Sequence, residues 1–166
     1  MSGRGIACFT GEVLRGTEWF GHDYAGQRVA VAAPGREAAQ IAPEVAATAL
    51  SVKVFQEEPD WMLPLPVPGG RVVGVAVARA FLRSQVKDPW LRKLLTPHRR
   101  FGSRRLASGL NYYDALQRSN CKLITWPVYA FVPEGVRTAE GIEHRFDVVV
   151  LGSSSIFART LEGRPA

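Results

Sequence analysis

Cysteine, methionine and histidine are scarce in this chain of 166 residues, which contains two, two and three of them respectively. Cys8 and Cys121 lie far apart, which excludes a disulfide framework and a cysteine-based zinc pattern and favours a reducing cytoplasm. His22, His98 and His144 are equally scattered, so no metal site is proposed. Long apolar runs are missing as well. The longest covers residues 72–78, is bracketed by Arg71 and Arg79, and is too short to cross a bilayer. Residues 1–10 lack the apolar segment of a signal peptide, so a soluble, cytoplasmic protein with no membrane partner is expected. Neither internal repeats nor low-complexity tracts are present. With 46% apolar and 22% charged residues, the chain has the composition of one ordinary globular domain rather than of a disordered segment.

Its charge is lopsided. Lys and Arg number 21 against 15 Asp and Glu, a formal net charge of +6, so an anionic partner has to be considered. Arg99, Arg100, Arg104 and Arg105 form the densest basic cluster, with Phe101 among them. A solvated charged face is one reading. A nucleic-acid patch in which Phe101 stacks a base is another, the less favoured because lone aromatics usually belong to the core.

Residues 28–61 carry the only spacing that by itself implies a ligand. Val29, Ala30, Val31 and Ala32 form the continuous apolar run of a strand buried on both faces of a parallel sheet. Beyond Gly35, Ala38, Ile41, Ala42, Val45 and Ala49 recur at the spacing of one helical stripe, and Pro43 is expected to bend or loosen that helix. Val52, Val54 and Phe55 make the next strand. The outline is that of a dinucleotide-binding βαβ unit with a damaged turn. Where a GxGxxG/A motif needs its first glycine there is Ala33, followed by Pro34 and Gly35. Ala33 adds a methyl where a pyrophosphate should come closest, Pro34 removes an N–H donor, and Glu37 puts a carboxylate in the first helical turn. The unit is therefore open to two readings, a nucleotide site or only a structural piece of a sheet.

The proline- and glycine-rich residues 63–70 form the best linker candidate. A helix is expected over residues 71–86, and a short one to Leu95 capped by Asp88 and started by Pro89. Asn111 is expected to cap a helix over 112–118, leading to a strand at 123–125. Strands follow at 128–132, 135–138, 142–146 and 148–151, with a tight turn at 139–141. Alternating helices and strands give an α/β class with a small antiparallel excursion.

Five blocks in order now resemble one family, the class B flavin monooxygenases of the Baeyer–Villiger type. Phe9, Gly11 and Trp19, with Arg15 in the histidine place, resemble the fingerprint FxGxxxHxxxW. Residues 29–46 are similar to VAVIGTGASAAQIVPEVA, and VFQEEPDW at 54–61 to VFQRTPxW. Residues 95–123 resemble LTPxxxFGxKR followed by xYYxALQRxNxxL, and residues 135–155 resemble GVxTxDGxEHxxDVIVxATGF. The resemblance covers most of the chain and is far more specific than one glycine motif.

The resemblance implies a Rossmann-like NAD(P)-binding domain taken from a truncated two-dinucleotide-domain flavoprotein, with NADP(H) and FAD as cofactors and a ketone or related carbonyl compound as substrate. FAD would belong to another domain, and its binding by this chain alone is not expected. The implied division is a linker at 1–20, a βαβ unit at 21–62, a shortened helical insertion at 63–98, the second part of the nucleotide domain at 99–150, and a remnant of the return to the FAD domain at 151–166. Arg105 matches the active-site arginine, whose fixed planar charge serves the flavin's oxygen chemistry and orients the nicotinamide. Arg104 matches the lysine that contacts the phosphate on the adenosine ribose, and Gly35 and Gln40 fall within the nucleotide motif.

Departures from the pattern bear on activity. No glycine-rich strand and helix precede Phe9. Glu57 replaces the arginine that would neutralise the NADPH phosphate, with Glu58 beside it, and suits a ribose hydroxyl as in NAD sites or a surface strand end equally well. Residues 152–155, Gly-Ser-Ser-Ser, stand where the family has ATGF. The expectation is an inactive or incomplete portion of a monooxygenase. A non-catalytic nicotinamide nucleotide-binding module, or half of a split enzyme completed by an FAD-domain chain, and a basic interaction protein are the alternatives.

Overall fold

A computed structural model describes residues 5–56, 59–64, 70–97 and 107–152. Its centre is a five-stranded, wholly parallel sheet. The strands are β1 (Glu12–Arg15), β2 (Arg28–Ala32), β3 (Ser51–Phe55), β6 (Cys121–Ile124) and β10 (Val148–Leu151), in the spatial order β1-β10-β2-β3-β6. Between them come α1 (Gly35–Thr48), β4 (Met62–Leu63), α2 (Gly70–Gln85), α3 (Pro89–Leu94), β5 (Ala107–Ser108) and α4 (Tyr112–Leu116). β4 and β5 form a separate short parallel pair, while β7 (Val128–Val132), β8 (Gly135–Thr138) and β9 (Glu143–Arg145) make an antiparallel meander. This is the expected Rossmann-like α/β architecture with its antiparallel excursion.

Strand parity divides the core. Val29 and Val31 of β2, Val52 and Val54 of β3, and Val148 and Val150 of β10 share one cluster with α1, α2 and α4. Ala30, Ala32, Phe55, Val149 and Leu151 turn to the other face, which Phe9, Phe131, Val136 and Phe146 cover. Both faces are thus closed, as a parallel sheet requires. The expected stripe of α1 is buried from Ala38 through Val45 and on to Ala49. Pro43 does not end this helix, because the buried stripe continues on both sides of it.

Several boundaries differ from expectation for identifiable reasons. β6 starts at Cys121, not at residue 123, since Asn120 Nδ2 donates to the carbonyls of Ala46 and Ala49 at 3.0 and 2.9 Å and pins the strand's start beneath the end of α1. Asn111 does not cap α4 with its side chain, and its own backbone is helical rather than extended. That helix stops at Leu116, where Gln117 Nε2 instead bonds the carbonyls of Tyr113 and Gln85. Asp88 does cap α3, accepting from Trp90 N at 2.9 Å. β9 covers only 143–145, because Ile142 contributes its carbonyl to the turn, where Gly141 takes a left-handed φ of +86°. Leu63 lies in β4 and Gly70 starts α2, so the expected linker is bounded by regular structure. Segment 1–20 contributes β1 to the sheet edge.

At the amino edge of the sheet, Arg28 and Asp147 make a bidentate pair, with Nη2 to Oδ1 at 2.7 Å and Nε to Oδ2 at 3.0 Å. Arg28 N also donates to Oδ2 at 2.8 Å. The side-chain bond from Arg28 is the main cause of an Asp147 pKa held down at about 2. A depressed carboxylate pKa contributes stability above the ordinary aspartate range and loses it as pH falls through that of the folded state. Asp147→Asn is expected to lower the urea midpoint at pH 7, with the gap to wild type closing as pH drops from about 5 towards about 2. A gap that stays constant over that range would show that Asp147 acts without its charge.

Candidate functional site

The order β1-β10-β2-β3-β6 places a topological switch between β2 and β10, because the chain leaves β2 towards β3 on one side while β10 and β1 lie on the other. In open α/β sheets the crevice outside the carboxyl ends of the strands at such a point is where ligands sit. Here that edge is formed by Ala33 and Pro34 after β2, Gln56 and Asp60 after β3, Gly152 after β10, and the first turn of α1.

That first turn carries backbone donors that the helix itself does not use. Pro34 is the N-cap residue and has no side-chain acceptor; its carbonyl takes Glu37 N at 2.9 Å and Ala38 N at 2.8 Å. The N–H groups of Gly35 and Arg36 therefore remain outside the helical ladder, at the positive end of the helix dipole. Arg36 is exposed and adds a full positive charge beside them. These groups fit an anionic phosphate group.

Close packing limits the same crevice. A Cβ at Gly35 would fall 2.6 Å from both Gln56 Nε2 and Asp60 Oδ2, so glycine here admits two polar side chains against the helix start. Gln56 is buried, and its Oε1 accepts from Tyr112 Oη at 2.7 Å while its Nε2 has no acceptor. Burial drives the Tyr112 phenol pKa upward, keeping it a neutral donor to Gln56. A Cβ at Gly152 would run into Glu37 Oε2 and lie 2.8 Å from the Ala33 Cβ, while Gly152 N donates to Ala32 O at 3.0 Å. The ends of β2 and β10 are thus tightly apposed around the Ala33 methyl and the Glu37 carboxylate.

Of the residues singled out from the sequence, Gly35 lies at the crevice and Gln40 is exposed further along α1. Glu57, Arg104 and Arg105 lie outside the described residues, as do Arg99, Arg100 and Phe101. Arg15 ends β1 at the same sheet edge, where its N–H donates to Glu18 Oε2 at 2.7 Å. The sequence reading missed Arg36, Gln56 and Asp60. Gln56 and Asp60 stand within the VFQEEPDW block, on either side of Glu57 and Glu58. Burial raises the Cys121 thiol to about 11, which removes it as a nucleophile. No helix among the described residues is long and apolar enough to cross a membrane.

Sheet order, switch point and helix start define a Rossmann-like α/β domain. No family model matches the chain. A Baeyer-Villiger monooxygenase of Pseudomonas aeruginosa is 28% identical over 190 residues, an alignment covering 90% of this chain and 36% of that protein. The FAD-binding monooxygenase ktnD of Aspergillus niger is also 28% identical, over 90% of this chain and 31% of its own length. An oxidized steroid monooxygenase bound to NADP shares the fold with a TM-score of 0.74 at 21% identity, over 92% of this chain and 43% of that one. The chain is therefore similar in sequence to these monooxygenases over most of its own length, and it spans about a third of the length of the curated relatives it matches.

Gly35→Ala is expected to cost about 1–3 kcal/mol in urea unfolding, as overpacking does, because Gln56 and Asp60 would both have to retreat. Wild-type stability in this variant would show that the polar pair at the helix start is free to shift.

Proposed function

We propose that this chain is the nicotinamide-nucleotide domain of a Baeyer–Villiger-type flavin monooxygenase. The observation that carries this reading is the start of α1 at the β2/β10 switch point, which has no side-chain cap and leaves the Gly35 and Arg36 N–H groups outside the helical ladder, with Arg36 exposed in that first turn. The nucleotide's pyrophosphate would be held there. Residues 21–62 and 99–150 then form the two parts of the nucleotide domain, and residues 63–98 a reduced helical insertion.

Four further residues take roles in this proposal through the family pattern. Gln40 lies on the nucleotide-binding helix, Arg104 would take the phosphate of the adenosine ribose, and Glu57 would accept from a ribose hydroxyl. Arg105 would serve the nicotinamide, its permanent charge orienting the ring and stabilising developing negative charge. When bound, NADPH supplies a hydride and FAD the oxygen chemistry, which in the whole enzyme would oxygenate a ketone or related carbonyl compound. We assign FAD to a complementing domain, so the 166-residue chain alone is expected to bind nucleotide without oxygenating substrate.

Opposing charges set the nucleotide preference. Arg36 favours any phosphate, whereas Glu37 near the crevice and Glu57 at the ribose position oppose additional negative charge. Titration calorimetry of the chain with NADH and NADPH is expected to give heat for both, with NADH at least as tight. Glu57→Arg should move the preference towards NADPH on the order of tenfold, about 1.4 kcal/mol. Absence of heat with either nucleotide would overturn the reading.

A further inference from the structure

A second concave site lies between α2 and α3, on the Trp61 side of the chain. It encloses about 470 Å³, within the ordinary range for small-molecule pockets. Four of its lining residues are cations, Arg79 and Arg83 from α2 and Arg92 and Lys93 from α3, while Trp61 and Leu82 provide apolar wall. Among the described residues no carboxylate lines it.

Among the described residues this lack of counter-charge is local. Elsewhere Arg28, Arg118, Arg137 and Arg145 are paired with Asp147, Asp114, Glu143 and Glu134. None of the four pocket cations takes part in an ion pair among the described residues. Arg79 lies 5.7 Å from the Trp61 ring centre and Lys93 5.6 Å from that of Trp90, which directs their stems but neutralises neither. Arg92 Nη2 reaches Lys87 O at 3.4 Å, and its buried Nε has no acceptor. Asp88, the nearest acid along α3, is already the helix cap. Four like charges around one cavity repel one another, and a ligand bearing several oxyanion groups would relieve that repulsion while supplying acceptors to the guanidinium groups.

We propose that this pocket binds a small polyanion carrying phosphate or carboxylate groups, at a site separate from the nucleotide crevice. Asp60 faces the start of α1 whereas the adjoining Trp61 lines this pocket, so the two sites share a strand end but no described lining residue.

The test is calorimetric titration of the full chain with inorganic pyrophosphate and with citrate, followed in parallel by tryptophan fluorescence. Saturable binding is expected, weakened at least tenfold in the double variant Arg79→Ala/Arg83→Ala, with a fluorescence response that disappears in Trp61→Phe. Tighter pyrophosphate binding would identify phosphorylated ligands and tighter citrate binding polycarboxylates, either result supporting the site. Arg137→Ala, on the meander, should leave affinity unchanged; an equal loss there would mean diffuse attraction to a basic protein and would overturn the proposal. So would failure of both anions to bind, or an unchanged affinity in a folded double variant. NADH affinity should stay at its wild-type value in the double variant, and its loss would merge this pocket with the nucleotide site.

Discussion

A parallel sheet leaves two apolar faces to cover, and the arrangement of this chain follows from that constraint. The alternation within β2 states it most simply. Val29 and Val31 point to the helices, Ala30 and Ala32 to the meander side, and all four are buried. Larger residues face α1, α2 and α4, where helical side chains fill the space between them; small ones on the other face leave room for Phe55, Phe131 and Phe146. Because the buried stripe of α1 fixes that helix along the sheet, its N-terminus is delivered to the carboxyl edge. The candidate site is thus a consequence of core packing before any ligand is considered.

The two sheet edges have opposite electrostatic character. At the amino edge, Arg28 and Asp147 satisfy each other's charge, and main-chain bonds link them to the starts of β1 and β2. Little remains there for a ligand. On the meander side Lys53 Nζ lies 2.7 Å from His144 Nδ1, and burial is the larger cause of the lowered pKa in each, followed by Lys122 for Lys53 and by Lys53 for His144. The carboxyl edge differs, because the backbone donors at Gly35 and Arg36 lie outside the helical ladder and Gln56 Nε2 is buried without an acceptor.

Local pattern made most of this fold readable. Strand and helix periods located β2, α1, β3, β7, β8 and β10, since each depends on which residues face a neighbouring layer, while the Asp88 cap and Pro89 located α3. Errors concentrated where a long-range hydrogen bond decides an end. Asn120 sets the start of β6 through carbonyls more than seventy residues earlier in the chain, which no local window contains. The site was less readable for the same reason. Gly35 falls within the nucleotide motif, but its need for glycine also comes from Gln56 and Asp60, brought to it by β3. Motif spacing identifies the turn; only the fold shows what presses on it.

Ala33 gains meaning from this packing. A methyl in place of the first motif glycine reduces the room for a phosphate, and in exchange it is buried against the approaching end of β10, where Gly152 allows the contact. The missing side chain has in effect moved from one strand end to the other. Such an exchange keeps the apposition of β2 and β10, on which the sheet depends, while the unused backbone donors remain at the buried Gly35 and the exposed Arg36. Arg36 then supplies by charge part of what close backbone approach would supply in an intact glycine turn, and Glu37 on the next residue limits the gain. A nucleotide at this edge would depend more on long-range attraction and less on a fitted cradle, so salt should weaken its binding strongly.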